Sequence, residues 1–203
     1  MIPIAKLLKI DKNIVLASKS PRRKKLLEQL GFDFIVKPAA INENDLPEGI
    51  SPIDYVKELS FRKAEKVASR ISDPAVILGS DTIVVLEDEI LNKPESRSHA
   101  FDMLNLLSDN THKVFTGITL IDTEKNIEIS DHKETDVTFR KLEDDEIWAY
   151  IDTGSPMDKA GGYGIQDDFG AVFVSHIAGC YYNIVGLPLE KLYEMLKKIT
   201  NEK

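Results

Sequence analysis

The stretch NIVLASKSPRRKKLLEQLG, residues 13–31, decides the fold. Residues 13–17 (NIVLA) form a mostly apolar run with β-branched side chains, which predicts a short buried strand. Serine followed by Pro21 indicates a helix start, because proline suits the first helical position, and Gly31 indicates the helix end. The stretch is therefore predicted to be a strand, a turn over residues 18–20 and a helix.

Strand-like and helix-like segments alternate along the rest of the chain. Further strands are predicted at residues 32–36, 75–78, 83–86, 114–121, 135–139, 171–177 and 181–185. Further helices are predicted at residues 51–70, 98–107 and 143–152, and a last one begins near Pro188. Residues 79–82 (GSDT) separate the strands predicted at 75–78 and 83–86. Interleaved strands and helices predict an α/β fold with a mixed sheet. Because no linker-like composition separates them, we expect residues 1–203 to form one domain.

Composition limits the class of protein. The 203 residues are 42% hydrophobic, which is enough for a real core. The net charge of −8 disfavours binding along the phosphates of a nucleic-acid polymer, so an anionic ligand must meet a local basic site. The single cysteine, Cys180, excludes an intramolecular disulfide and fits a reducing, cytoplasmic location. We expect no secretory signal and no membrane partner, since no run approaches the roughly 18 apolar residues of a membrane span.

The turn before the first long helix is a candidate phosphate site. A helix N-terminus offers unpaired backbone N–H groups and the positive end of the helix dipole. Ser18 and Ser20 add hydroxyl donors there, and Arg22 and Arg23 can each bind phosphate through two parallel hydrogen bonds. Arg23 shares a helix face with the leucines that follow it, so we expect it to point inward. A capped helix followed by ordinary basic residues is an equally consistent interpretation.

Asp81 is the candidate catalytic residue. It lies between two apolar runs, where an aspartate is costly unless it is paired, binds a metal or takes part in chemistry. Its carboxylate could bind a divalent cation or accept a proton from an attacking water. The alternative is a turn aspartate bonded to nearby backbone N–H groups.

Two lysines could aim at a phosphate. Lys93 is held in the turn Asn92-Lys93-Pro94, where the proline restricts the residue before it. Lys63 lies within the predicted helix 51–70. Judged from sequence alone, an exposed turn residue and a solvated helix face are the favoured interpretations of these two positions.

The glycine-dense segment 154–170 is a candidate base-binding loop. Packed glycines let a backbone approach a ligand closely. Asp158, Lys159, Tyr163 and Gln166 supply the acid, base, ring and amide that could read a nucleobase. The segment matches neither a P-loop nor a dinucleotide fingerprint. A long flexible hairpin is the alternative.

The four histidines lack metal-ligand spacing and are interpreted as structural or surface residues, and Cys180 as an inert core thiol.

Together, and in this order, these motifs resemble the Maf family of nucleotide pyrophosphatases. The matching stretches are Leu16-Ala17-Ser18-Lys19-Ser20-Pro21-Arg22-Arg23, Gly79-Ser80-Asp81-Thr82, Asn92-Lys93-Pro94, Thr111-His112-Lys113-Val114, Asp158-Lys159-Ala160-Gly161-Gly162-Tyr163-Gly164-Ile165-Gln166 and Val185-Gly186-Leu187-Pro188. They extend over nearly the whole chain.

The resemblance implies a fold akin to inosine triphosphate pyrophosphatase, with a bent mixed sheet and a cleft between two lobes. It implies hydrolysis of a nucleoside triphosphate to monophosphate and pyrophosphate, assisted by a divalent metal such as Mg²⁺ or Mn²⁺. Asp81 matches the proton acceptor, and Arg22, Thr82 and Gln166 match positions linked to substrate choice. Threonine after the aspartate and Tyr-Gly-Ile-Gln in the late loop are similar to the branch acting on dTTP and UTP.

The chain also departs from the family pattern. Lys19 stands where a small residue is frequent, and Asn92 stands where glutamate is frequent before Lys-Pro. Glu43 is the matching acid of another metal-site motif, so Asp81 and Glu43 are the candidate metal ligands. Two other functions stay open: a nucleotide-binding regulator of cell division without turnover, and a pyrophosphatase for modified purine or 7-methylguanosine nucleotides. A homodimer is left open as well.

Overall fold

The computed structural model describes residues 4–43, 45–47, 49–166 and 169–201. In chain order the elements are α1 (Ile4–Leu7), β1 (Asn13–Leu16), α2 (Pro21–Gln29), β2 (Phe34–Val36), α3 (Pro52–Ala68), β3 (Ala75–Leu86), β4 (Glu89–Leu91), α4 (Arg97–Leu107), β5 (Thr111–Asp122), β6 (Ile127–Phe139), α5 (Asp144–Asp152), β7 (Val174–Ala178), α6 (Tyr181–Val185) and α7 (Leu189–Asn201). Short 3₁₀ turns lie at Ser155–Asp158, Ala160–Gly162 and Gly170–Val172.

The strands form one mixed sheet, which confirms the predicted α/β class. Their order is β2-β1-β3-β5-β6-β7, and β4 pairs with β3. Strand β1 runs parallel to both β2 and β3, whereas β4 and β7 run antiparallel to β3 and β6. The chain divides into two compact units. Unit 1 comprises residues 1–81, 116–133 and 186–203, and unit 2 comprises residues 82–115 and 134–185.

The predicted Ser-Pro helix starts are confirmed. Ser20 caps α2, and its hydroxyl accepts the backbone N–H of Arg23 at 3.5 Å. Ser51 caps α3 in the same way, accepting the N–H of Asp54 at 3.1 Å. In both helices proline follows the cap at the first helical position, where its missing N–H would have no partner within the helix.

The core of unit 1 is built where α3 lies against the sheet. One cluster of buried apolar side chains here comes from β1 and the residue after it, from α3 and from β3: Val15, Ala17, Ala64, Val67, Ala75 and Ile77. Gly79 and Gly117 allow a very close approach. A Cβ atom on either would lie 2.1 Å from a backbone oxygen of α3, that of Ser60 and that of Val56 respectively. The helix is therefore fixed on the sheet at two backbone contacts.

The predicted separation of two strands at residues 79–82 is wrong. These residues continue β3 from Ala75 to Leu86 without a break. Glycine in the middle of a strand here marks the place where another backbone approaches. The polar residues are satisfied by neighbours instead of turn geometry, since the Ser80 hydroxyl donates to the carbonyl of Gly186 at 3.3 Å.

The core of unit 2 contains a cluster of aromatic side chains. Phe139, Tyr150, Tyr163 and Phe173 are each at most 5% exposed and contact one another mainly edge-to-face. Such contacts add directional attraction to apolar burial.

Two predictions in unit 2 are wrong. Residues 181–185 form helix α6 and not a strand. The cause is tertiary, because the buried Asn183 amide donates to Val114 O and to Thr135 Oγ1, each at 2.9 Å. Cys180, expected in the core, is half-buried with a free thiol.

Within the described residues, no helix is both long and apolar enough to span a membrane.

Candidate active site

A buried lysine binds two carboxylates in unit 1. The ammonium of Lys63 lies 2.6 Å from Asp81 Oδ1 and 2.7 Å from Glu43 Oε1. The side chains of Lys63 and Asp81 are 9% and 10% exposed, whereas that of Glu43 is 42% exposed. The Lys63 ammonium is thus bound by two carboxylates, and the cluster is exposed to solvent on the side of Glu43.

The close contact between α3 and β3 explains this geometry. Alternate residues of a strand share a face, so Asp81 lies on the same side of β3 as Gly79, which contacts α3. Lys63 precedes Ala64, whose backbone N would lie 2.9 Å from a Cβ at position 79. The prediction that Lys63 occupies a solvated helix face is wrong. The alternative that Asp81 is a turn residue is also wrong, since it lies within a strand.

The side chain of Arg23 holds the turn before α2 in place. The Ser18 hydroxyl oxygen accepts Arg23 Nη1 and the backbone N–H of Ser20, both at 3.2 Å. Arg23 Nε donates to the carbonyl of Gly186 at 2.8 Å. The same carbonyl accepts the Ser80 hydroxyl, so one peptide oxygen fastens α2 and β3. Arg23 therefore points inward, as its position on the leucine face predicts.

The charge of Arg23 in this turn interacts with the carboxylates of Asp81 and Glu43. Burial lowers the pKa of the Arg23 guanidinium, and the charges of Asp81 and Glu43 act against that lowering. Arg22, half-exposed, adds a repulsion that lowers the same pKa further. Unit 1 thus concentrates two arginines, one lysine and two carboxylates around the N-terminus of α2. Such a set suits a ligand that carries several phosphate charges together with a cation.

The donor set fits a divalent metal. Mg²⁺ is commonly held by one or two carboxylates, with phosphate oxygens and waters completing its shell. Asp81 and Glu43 supply two such carboxylates, and both face the point that the Lys63 ammonium occupies. Among the described residues no group of three or more His, Cys, Asp or Glu side chains could hold a metal alone. A metal here would therefore need oxygen ligands from substrate or water.

The other predicted residues belong to unit 2. Thr82 follows Asp81 on β3 and is half-buried, whereas Lys93 and Gln166 are exposed. Lys159 is 7% exposed, and its ammonium donates to Ser155 O at 2.6 Å and to Asp158 Oδ1 at 2.8 Å. The structure thus brings Lys159 and Asp158 together at the first 3₁₀ turn of the glycine-dense segment.

The glycine-dense segment is not a simple hairpin. It contains two 3₁₀ turns and the first residue of a third, and its described residues are fastened by hydrogen bonds at positions 161, 163 and 164. The bond at position 163 joins Tyr163 to His112, for which the sequence pattern indicates a structural or surface role. Asp167 and Asp168 lie outside the described residues.

Comparison with known proteins identifies the family. A family model described as Maf-like protein matches residues 13–199. The dTTP/UTP pyrophosphatase of Thermoanaerobacter sp. (strain X514) is 49% identical over 185 residues, which cover 91% of this chain and 95% of that protein. The protein of the same name from Ruminiclostridium cellulolyticum is 48% identical over 192 residues, covering 95% and 98%. Among solved structures, the Staphylococcus aureus Ham1 protein matches 93% of this chain and 100% of its own, at 14% identity and a TM-score of 0.48. Because the family match extends from β1 into α7, the chain belongs to the Maf family.

Proposed function

We propose that this protein hydrolyses nucleoside triphosphates, dTTP and UTP foremost, to the monophosphate and pyrophosphate. The observation that carries the proposal is the buried Lys63–Asp81 pair, with its second carboxylate from Glu43, beside the basic turn at the start of α2. The relatives named dTTP/UTP pyrophosphatase, which are 45–49% identical, support the same reaction and substrates.

The reaction is a displacement at phosphorus. A water oxygen attacks the α-phosphorus in line, the bond from that phosphorus to the bridging oxygen breaks, and pyrophosphate leaves. In this proposal Asp81 accepts the proton of the attacking water. Positioning and charge neutralisation supply most of the rate enhancement in such reactions, which is what a cationic turn can provide.

The cationic residues of unit 1 would bind the triphosphate. Arg22 and the hydroxyls of Ser18 and Ser20 lie at the helix N-terminus, where backbone N–H groups add to phosphate binding. Arg23 is held by Gly186 and Ser18, so its guanidinium is pre-oriented. Lys63 contributes a charge that also keeps Asp81 in place.

A divalent cation, Mg²⁺ or Mn²⁺, would be held by Asp81 and Glu43. When bound, it would neutralise charge on the phosphate oxygens and on the departing pyrophosphate. The two carboxylates already contact one cationic nitrogen, that of Lys63, so both face a place where positive charge is favourable.

The residues of unit 2 would complete substrate binding. We assign base recognition to Gln166 and Thr82, and contacts to the rest of the nucleotide to Lys93, Asp158 and Lys159. Gln166 is exposed and therefore accessible to a ligand. We further propose that residues 1–203 act as one domain, because strands β3 and β5 each contribute residues to both units.

Product analysis tests the reaction. The protein is incubated with dTTP, UTP, ATP and GTP, with and without Mg²⁺ or Mn²⁺, and the products are separated by anion-exchange chromatography. We expect monophosphate and pyrophosphate in equal amounts, with dTTP and UTP converted fastest. Diphosphate with orthophosphate would contradict the cleavage position, and nucleotide binding without turnover would favour the regulatory alternative.

A further inference from the structure

The side chains of His112 and Tyr163 form a buried polar pair in unit 2. His112 Nε2 lies 2.8 Å from the Tyr163 hydroxyl, and the two residues are 1% and 5% exposed. Both rings also contact Phe139 edge-to-face, at centroid distances of 5.0 Å and 4.8 Å. Each residue is thus fixed both by apolar packing and by one directional bond.

The polar atoms of His112 and Tyr163 are not needed to fill this part of the core. Among the described residues, His112 Nδ1 has no hydrogen-bond partner, and an unpaired buried nitrogen is unfavourable. Two apolar rings of the same shape could fill this space without that cost. The hydrogen bond therefore supplies direction, since it fixes the position of the Tyr163 hydroxyl in a way that packing alone does not.

Tyr163 lies at the centre of a fastened loop. On one side, the N–H of Gly161 donates to the carbonyl of Asn92 at 3.2 Å. On the other, the N–H of Gly164 donates to the Tyr150 hydroxyl at 3.2 Å. Gly161 has a φ of +67°, and a Cβ there would lie 2.8 Å from Val84. Residues 161–164, which we call the anchored loop, are thus held by β3, by the residue that follows β4 and by α5, and they end two residues before Gln166.

We propose that His112 is a positioning residue: through Tyr163 it holds the anchored loop in the conformation that presents Gln166 to the base of the substrate. The inference rests on the proposed function in that it takes Gln166 as the residue that recognises the base. His112 itself contacts no ligand in this scheme.

The hydrogen bond between the two side chains joins neutral groups. Burial lowers the pKa of His112 to about 4, and burial raises the pKa of the Tyr163 phenol. Both groups are therefore neutral near pH 7, so the hydrogen bond joins two neutral partners and needs no counter-charge.

The test breaks the bond while keeping the rings. His112→Phe and Tyr163→Phe each remove one partner, the double variant removes both, and His112→Gln retains a side-chain amide that can bond to the Tyr163 hydroxyl. Ile147→Val is the matched control, since it removes one buried methyl group from α5 without altering a hydrogen bond. For each variant we measure kcat/KM for dTTP and ATP, the melting temperature, and hydrogen exchange of peptides covering the anchored loop.

We expect the dTTP-to-ATP ratio of kcat/KM to fall about five-fold in both single Phe variants, the change expected from losing one hydrogen bond of about 1 kcal/mol. The double variant should lose no more than either single variant, because the same bond is lost in each case. His112→Gln should recover part of the ratio. The anchored loop should exchange faster in the Phe variants, and Ile147→Val should change neither the ratio nor the exchange.

Other outcomes separate this inference from the proposed function. If dTTP yields no pyrophosphate in the wild-type protein, the proposed function fails, while loop exchange still tests the positioning role. If Gln166→Ala lowers the ratio but the Phe variants change neither ratio nor exchange, the positioning role is overturned. Equal losses on dTTP and ATP that follow the melting temperature, as in Ile147→Val, would show that the pair only stabilises the fold.

Discussion

The Lys63 ammonium lies 2.6 Å from Asp81 Oδ1, and at most 10% of either side chain is exposed. Removing one partner of such a pair leaves the other charge uncompensated in a poorly solvated place, which is costly. Here Glu43 gives Lys63 a second partner at 2.7 Å. Asp81 can therefore lose its charge without leaving the ammonium unpaired, which makes it possible to test its chemistry separately from the fold.

Asp81→Asn should lower kcat by about 10²–10⁴-fold, the usual effect of removing a proton acceptor. Asparagine keeps the size of the side chain and an oxygen that can accept from Lys63, so we expect a melting temperature within a few degrees of wild type. Pyrophosphate release and thermal melts of the same preparation measure both quantities. Near-normal turnover in the folded variant would show that Asp81 serves only the ion pair.

Glu43→Gln should change the metal requirement more than the fold. The carboxylate is 42% exposed, so its loss costs little stability, but it leaves only Asp81 as an anionic metal ligand. We expect the Mg²⁺ concentration for half-maximal activity to rise about ten-fold, with kcat largely recovered at saturating metal. A titration of activity against Mg²⁺ at fixed dTTP measures this, and an unchanged midpoint would exclude Glu43 from the metal site.

The sequence predicted well what depends on local signals. Residues 13–31 formed the expected strand, turn and helix, because the Ser-Pro start and Gly31 act over a few residues. The sequence of α3 alone favours a solvated Lys63, because the sheet that covers this helix face comes from distant parts of the chain. Yet buried positions in α3 follow one helical stripe, Ser60, Lys63, Ala64 and Val67, so the lysine lies on the inward face.

What could not be predicted depends on tertiary contacts. Gly79 interrupts an apolar run of the sequence, but the residue is required because α3 approaches the strand there. Residues 181–185 have the aromatic and β-branched composition of a strand, yet Asn183 bonds to Val114 and Thr135, and the segment is helical. In both places distant backbone and side chains outweigh local propensity.

Gly79→Ala should destabilise the protein and displace Lys63. The added Cβ would lie 2.1 Å from the Ser60 carbonyl oxygen, so α3 must shift, at a cost of about 1–3 kcal/mol. Gly154→Ala is the control, because its φ of +75° is unfavourable for alanine but a Cβ there meets nothing within 4 Å. Urea melts and kcat of both variants are compared. Only Gly79→Ala should lose activity in its folded form, and equal activity in both would contradict the positioning of Lys63 by this contact.

His112 should make the protein less stable in acid. Burial lowers its pKa in the folded state from 6.5 to about 4, so between these values the unfolded state binds more protons. Stability is therefore full above pH 6.5 and falls as the pH drops towards 4, by up to about 3 kcal/mol. Urea unfolding at pH 7 and pH 4.5 measures the loss. In His112→Phe it should be smaller, and an identical loss would show that other groups cause it.

Gln166→Ala and Arg22→Ala should affect substrate choice differently. If Gln166 binds the base, its loss leaves polar atoms of the base unpaired, at a cost of about 1–3 kcal/mol. That corresponds to a loss of roughly five- to 150-fold in kcat/KM, which should fall mainly on dTTP and UTP.

Arg22 lies in the first turn of α2, so Arg22→Ala should weaken the binding of all triphosphates alike through lost phosphate contacts. We therefore expect Gln166→Ala to lower the dTTP-to-ATP ratio of kcat/KM far more than Arg22→Ala does. The resemblance to the family links Arg22 to substrate choice as well, so the order of the two effects decides between base recognition and phosphate binding at this residue. Equal losses on every substrate in Gln166→Ala would assign Gln166 to the structure of its loop.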